Sequence, residues 1–306
     1  MTRLFHTSGE ALDQWYHWAK QEAIAVDIPT TEVDWLLREI SSLDALSLRL
    51  GLFKERSQIL LKYSLEELTQ LWQLRVKQKV PLQYLVGVTP WRQFSLKVSP
   101  DVLIPRPETE LMIDFALEAA QNSPNPHLMS GHWVDLGTGS GAIALGLADS
   151  FPHATIHAVD TSSKGLAIAQ ENALEQGLAE RINFYRGSWW TPLERLKGQV
   201  SAIISNPPYI PTSLLSQLQP EVKEHEPLLA LDGGTDGLDA IRYLIDTSPN
   251  YLVSGGIFLV EMMAGQGETV KQLLEASCHY RSIEILPDLA GIGRFALAYT
   301  HILHLQ

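Results

Sequence analysis

The chain has 306 residues, enough for two domains, and 45% apolar residues supply a core for each. Its net charge of −12 is uneven: residues 1–88 carry 10 Lys and Arg against 11 Asp and Glu, and the remainder carries 13 against 24. That acidic second part is a poor match for a run of phosphates, which argues against a nucleic-acid polymer as direct substrate. A single cysteine, Cys278, excludes an internal disulfide and a thiolate metal cluster. The ten histidines show no ligand spacing, so no metal is expected. No stretch reaches the roughly 20 apolar residues of a membrane helix, and the first residues lack a secretory layout. The cytoplasm is the expected compartment, and a monomer the simpler expectation.

Residues 1–88 read as helices only. Thr7-Ser8-Gly9-Glu10 is a capping-box pattern before a helix with Leu12, Trp15, Tyr16 and Ala19 on one side. Pro29-Thr30-Thr31 precedes a helix whose Val33, Leu36, Leu37 and Ile40 share a stripe. A leucine-rich segment covers Leu43 to Leu52. Ser64-Leu65-Glu66-Glu67 opens a last helix, which Pro81 stops. This bundle carries no visible chemistry, and packing or partner docking is its expected role.

Residues 89–105 read as a β-hairpin linker. Trp91 to Val98 alternates with the period of a strand, and Val102-Leu103-Ile104 is its expected partner across Ser99-Pro100-Asp101. Arg106-Pro107-Glu108-Thr109-Glu110 then starts a helix with proline and acids in its first turn, as the helix dipole favours. Dipole compensation and hinge fixing are the expected roles of both glutamates.

From Trp133 onwards strands and helices alternate. Strands are expected at 133–136, 155–159, 182–185, 200–205 and 256–260, followed by an antiparallel pair at 282–286 and 294–299. Such alternation implies a doubly wound α/β sheet over residues 106–306.

Two stretches carry chemistry. Asp135-Leu136-Gly137-Thr138-Gly139-Ser140-Gly141 follows the first strand of this domain and opens a helix, with glycines that allow a tight turn and close ligand approach. The spacing is G-x-G-x-G, unlike the loop of dinucleotide binders. Asp160 ends the second strand, about 20 residues beyond, where an acid grips ribose hydroxyls. Asn206-Pro207-Pro208-Tyr209 ends the strand at 200–205. The prolines make a stiff extended turn, the asparagine offers one acceptor and two donors, and the tyrosine offers a flat face. This is a device for holding a planar, amino-bearing group.

Together these resemble class I S-adenosylmethionine-dependent methyltransferases that act on nitrogen. That resemblance implies that Asp135, Gly137, Thr138, Gly139, Ser140, Gly141, Asp160 and Asn206 serve the cofactor, and that Trp189, in Gly187-Ser188-Trp189-Trp190, faces adenine. The competing reading makes both tryptophans hydrophobic anchors. Further motifs, from Pro81-Leu82-Gln83-Tyr84-Leu85-Val86-Gly87 through Leu103 to Glu110, Glu226-Pro227-Leu228-Leu229-Ala230-Leu231 and Gly233-Gly234-Thr235-Asp236-Gly237-Leu238, look like the PrmC/HemK family. These are the peptide chain release factor N(5)-glutamine methyltransferases. The likeness covers residue 81 to the C-terminus, and the chain departs from the family pattern at Ser188, Ser201, His225 and Met262-Met263.

The resemblance implies methyl transfer to the glutamine of the Gly-Gly-Gln tripeptide in class I release factors. Asn206, Pro207, Pro208 and Tyr209 would hold the amide, with Asn206, Pro207 and Tyr209 in catalytic roles, and Glu108 and Glu226 would organise the pocket. Residues 1–88 would dock the body of the release factor. The competing functions are a DNA adenine-N6 methyltransferase, which needs a basic cleft not visible here, and a non-catalytic binding module.

Overall fold

The computed structural model describes residues 4–301. By its contacts the chain divides into two units. One contains the residues up to Gly87 together with Pro220–His225, and the other contains Val88–Gln219 and the chain from Glu226 onwards.

In the first unit, β1 (Phe5–Thr7) leads into α1 (Gly9–Ala25), whose cap Ser8 accepts a hydrogen bond from the Ala11 N–H. Then come α2 (Thr31–Ile40), α3 (Ala45–Arg49), β2 (Ile59–Leu61), α4 (Leu65–Gln78) and α5 (Leu82–Val86). The expected stripe Val33, Leu36, Leu37 and Ile40 is buried. At Ser64 both bonds of a capping box form, to and from Glu67. Trp15, Tyr16, Leu37, Phe53 and Trp72 pack in one core. Residues 1–88 are therefore mainly, but not only, helical: β1 and β2 pair antiparallel, Phe5 opposite Leu61. Strands of three residues are too short for alternation to show in a sequence. The buried charged group among the described residues of this unit is Arg75, 5% exposed, whose guanidinium grips both oxygens of Glu32 at 2.6 and 2.8 Å and Glu221 at 2.7 Å. Segment 220–225, read in sequence as part of the catalytic domain, groups with this unit.

The second unit begins with a hairpin, but not the expected one. β3 (Val88–Trp91) pairs with β4 (Phe94–Lys97) across the two-residue turn Arg92-Gln93, and Val102–Ile104 forms no strand. The turn closes locally because Arg92 adopts φ +49°, and Pro90 is tolerated because a two-stranded ribbon has only edges.

After α6 (Leu111–Gln121) the strands run β5 (His132–Leu136), β6 (Thr155–Asp160), β7 (Ile182–Arg186), β8 (Val200–Ser205), β9 (Leu252–Glu261), β10 (Tyr280–Pro287) and β11 (Gly293–Thr300). The helices among them are α7 (Ala142–Ser150), α8 (Ser163–Glu175), α9 (Pro220–Lys223, in the first unit), α10 (Asp239–Thr247) and α11 (Gly267–Ala276). The sheet order is β10-β11-β9-β8-β5-β6-β7. Neighbours from β9 to β7 are parallel, while β11 is antiparallel to both β9 and β10. Successive side chains go to opposite faces. Trp133, Ile156, Ile204 and Leu259 join one core, and Val134, Val159, Ile203 and Phe258 the other. Every residue of β8 is buried, as a strand covered on both faces requires. The chain moves outward from β5 to β7 and then returns to β8 on the far side of β5. Strand order reverses there, and a crevice opens at the carboxyl ends of β5 and β8.

Candidate active site

The crevice floor is the glycine loop after β5. Gly137 and Gly139 have φ of +81° and +53°, and a Cβ on either would meet nothing within 4 Å. Their bare backbone faces open space, which is what close ligand approach requires. Gly141 serves packing instead: a Cβ there would lie 3.0 Å from that of Ala169 on α8. The N–H groups of Gly137 and Thr138 donate to the Val159 carbonyl, and the Gly139 N–H donates to Asp160 Oδ2 at 2.8 Å. Asp160 Oδ1 accepts from the Ser162 N–H at 2.8 Å, and Ser162 in turn caps α8. Asn172, fully buried on α8, donates to the Ser140 carbonyl and exchanges hydrogen bonds with the Lys97 backbone, tying β4 to the glycine loop.

Asp135 lies beneath the loop with no exposure. Its Oδ2 accepts from the Thr138 hydroxyl and the Ala144 N–H, while Oδ1 has no hydrogen-bond partner. Burial pushes this carboxyl up to about 7 against those two bonds, with the Asp160 charge adding to the rise. An unpaired buried carboxylate oxygen costs stability.

The crevice encloses about 220 Å³. Of the residues singled out in sequence, Gly137, Gly139, Asp160, Trp189, Asn206 and Pro208 line it. Asp135, Thr138, Ser140 and Gly141 shape the loop from behind, and Pro207 and Tyr209 lie off the lining. Sequence reasoning missed Asp101, which it had placed in the hairpin turn, and Val102 and Leu103, which it had placed in a strand. It also missed Thr161, Ser162, Pro227, Leu229 and Ala230, and had set Ser188 aside. The two tryptophans divide their roles. Trp189, at φ +49°, reaches the cleft, whereas Trp190 is buried and stacks on Tyr251 with centroids 4.1 Å apart.

At the end of β8, the Ser205 hydroxyl donates to the Leu136 carbonyl and locks this strand to β5. Asn206 Nδ2 donates to the Thr109 hydroxyl at 3.2 Å; Thr109 donates to Glu261 Oε2 at 2.7 Å; the Tyr209 hydroxyl donates to Glu261 Oε1 at 3.1 Å. Burial, reinforced by the Glu261 charge, holds the Tyr209 phenol well above its ordinary range. The glycines of Gly233 to Gly237 make room for this turn. A Cβ on Gly233 would lie 2.8 Å from Tyr209 Cα, and one on Gly237 would lie 2.3 Å from the Tyr209 carbonyl oxygen. Glu226, almost wholly buried, pairs with Arg106 at 2.7 Å and so braces the wall that Pro227 and Leu229 continue. The crevice lining holds two carboxylates, Asp101 and Asp160, and no imidazole. Among the described residues no group of His, Cys, Asp or Glu is placed to hold a metal ion, and no helix is long and apolar enough to cross a membrane.

Exposed glycine backbone, a strand-terminal acid and an aromatic wall around one crevice suit an adenosyl cofactor carrying an amino-acid end. The fold and this cleft define a class I S-adenosylmethionine-dependent methyltransferase. The family model for the methyltransferase small domain matches residues 114–217. The hMettl16 catalytic domain in complex with MAT2A 3'UTR hairpin 6 superposes with a TM-score of 0.55 over 78% of this chain and 82% of its own, at 14% identity, a likeness of fold alone. A methyltransferase from Pyrococcus furiosus gives 0.50 over 69% and 91%, at 16% identity. Sequence relatives go further. The release factor glutamine methyltransferase of Synechocystis sp. is 55% identical over 96% of this chain and 97% of its own. That of Thermosynechococcus vestitus is 50% identical over 96% and 99%, and that of Gloeobacter violaceus 43% over 94% and 96%. The chain belongs to the release factor glutamine methyltransferase family.

Proposed function

We propose that this protein methylates the side-chain amide nitrogen of the glutamine in the Gly-Gly-Gln motif of class I release factors, acting in the cytoplasm where termination occurs. The observation that carries the reading is the placement of Asn206 and Pro208 in the same crevice as Gly137, Gly139 and Asp160, at the carboxyl end of a fully buried strand.

In this reading Gly137 and Gly139 receive the methionine end of the cofactor, Asp160 its ribose, and Trp189 its adenine. S-adenosylmethionine supplies an electrophilic methyl group on a sulfonium. An amide nitrogen is a poor nucleophile because its lone pair is delocalised into the carbonyl. The Asn206 side-chain oxygen and the Pro207 main-chain carbonyl each accept one N–H of the substrate amide, which turns the nitrogen's free face towards the methyl. The same two acceptors favour positive charge growing on nitrogen as the C–N bond forms and the C–S bond breaks. Orientation of this kind contributes several kcal/mol of order. Tyr209 covers the amide plane and excludes water. Once methylated, the nitrogen loses its extra proton readily, so a strong base is not needed.

The first unit is the docking element in this reading. It leaves Leu46, Leu50, Leu52 and Leu60 exposed, apolar surface that its own core does not use. Leu50→Glu with Leu52→Glu should weaken release-factor binding and leave cofactor affinity unchanged.

The deciding experiment is transfer of a labelled methyl group to a purified release factor, beside a variant in which the target glutamine is replaced. Label is expected on the first and not on the second. Label on DNA and not on the release factor would overturn the reading.

A further inference from the structure

Resting on the proposed amide methylation, we infer that Thr109 and Glu261 are positioning residues for the transfer: they dictate which end of the Asn206 amide faces the substrate. Neither residue lines the crevice. Thr109 is 3% exposed and Glu261 1%. They bridge two separate stretches, the short turn before α6 and the end of β9, directly behind the turn that ends β8.

An ionised carboxylate only accepts hydrogen bonds. Glu261 therefore takes the hydroxyl proton of Thr109 on one oxygen and that of Tyr209 on the other, at 2.7 and 3.1 Å. With its single proton committed, the Thr109 oxygen can only accept from its other partner, Asn206. The atom of Asn206 that faces it, 3.2 Å away, must then be the amide nitrogen. The Asn206 carbonyl oxygen is left as the end available to the crevice. That is the end a substrate NH2 needs, because an NH2 turned towards another NH2 has nothing to accept its protons.

The same carboxylate orients both ends of the Asn206–Tyr209 turn through two hydroxyls, while the Gln266 side chain holds the Tyr209 carbonyl at 3.1 Å. Burial raises the Glu261 carboxyl, with the Glu108 charge adding to the rise, while the Thr109 and Tyr209 hydroxyl bonds and then the Arg294 charge oppose it.

The test is a comparison of Thr109→Val with Thr109→Ser in the full chain, with rates expressed per cofactor-binding site so that any unfolded fraction drops out. Valine keeps the shape and removes the hydroxyl. Serine restores the hydroxyl. Thr109→Val is expected to lower kcat for methyl transfer to the release factor by about 10- to 100-fold with little change in cofactor affinity. Thr109→Ser is expected to recover most of that loss. Glu261→Gln carries an amide NH2 that must face one of the two hydroxyls, and it should also lower kcat more than it changes substrate KM. A Thr109→Val enzyme as fast as wild type would overturn the inference, and so would a Thr109→Ser enzyme as slow as the valine variant. Both outcomes presuppose an active wild type. Absence of transfer by the wild-type protein itself would instead strike the proposed function.

Discussion

The main-chain N–H of Gly139 donates to Asp160 Oδ2 at 2.8 Å, so the loop after the first strand of the sheet is latched to the acid that ends its neighbour. One carboxylate thereby holds the floor of the crevice in shape and still borders the cavity. Charge-assisted bonds of this kind contribute about 1.5–3 kcal/mol. Asp160→Ala is expected to weaken S-adenosylmethionine binding about 10- to 100-fold, measured by calorimetric titration. Unaltered affinity would remove Asp160 from the cofactor site.

Asn206→Ala separates chemistry from cofactor binding. It removes the side-chain acceptor for the substrate amide but leaves the glycine loop and Asp160 untouched. Transfer should fall by a factor on the order of 100 to 1000 while cofactor affinity stays mostly intact. Undiminished turnover would show that the amide is held elsewhere.

The Arg75 cluster sets the stability of the first unit. Arg75→Met strands Glu32 and Glu221, two carboxylates about a quarter exposed, beside each other without their cation. A loss of about 2–4 kcal/mol is expected in denaturant unfolding. Adding Glu32→Leu and Glu221→Leu should recover much of it, because removal of every charge ends the desolvation cost. If the single variant is as stable as the parent, the cluster contributes nothing net.

Two buried groups give stability opposite slopes with pH. His157, 3% exposed, is held down to about 4 by burial and by the neighbouring His132 and Arg195 charges. Its unfolded form takes up a proton first, so its contribution is present above about 6.5 and is lost as pH falls towards 4. Asp135 is the reverse. Its folded form keeps a proton up to about 7, so its contribution is greatest at low pH and is lost as pH rises from about 4 to 7. His157→Gln should therefore flatten the acid-side loss of stability in chemical unfolding of the cofactor-free protein. Asp135→Asn should steepen it across pH 4 to 6.5. Parallel curves for the two variants would refute this assignment.

Much of this was legible before folding. The strands expected at 200–205 and 155–159, the helix bearing the stripe Val33 to Ile40 and the capping box at Ser64 follow from local rules: β-branched runs, a 3.6-residue stripe, a side chain reaching three residues ahead. The hairpin was misplaced because Ser99-Pro100-Asp101 is a better turn on paper than Arg92-Gln93, which works only with Arg92 at positive φ. Thr109 lay in the family-like stretch Leu103 to Glu110 but no role attached to it, and none attached to Glu261, since a threonine in a helix's first turn and a glutamate at a strand's end are unremarkable alone. They meet across 152 residues.

By itself the amino-acid sequence determined the chemistry available: a glycine loop that can only be a turn, an acid and an Asn-Pro-Pro-Tyr that can only sit at strand ends, and periodicities that allow a doubly wound sheet. Those are short-range consequences of backbone sterics and side-chain spacing. The tertiary structure decided what faces what. Sheet order put Asn206 beside Gly137 and Gly139, and Asp135 under the loop instead of in the crevice. It also set Glu261 behind Asn206, where proton counting through Thr109 fixes the amide. Such pairings depend on burial and on partners far apart in the chain, and no local window of sequence contains them.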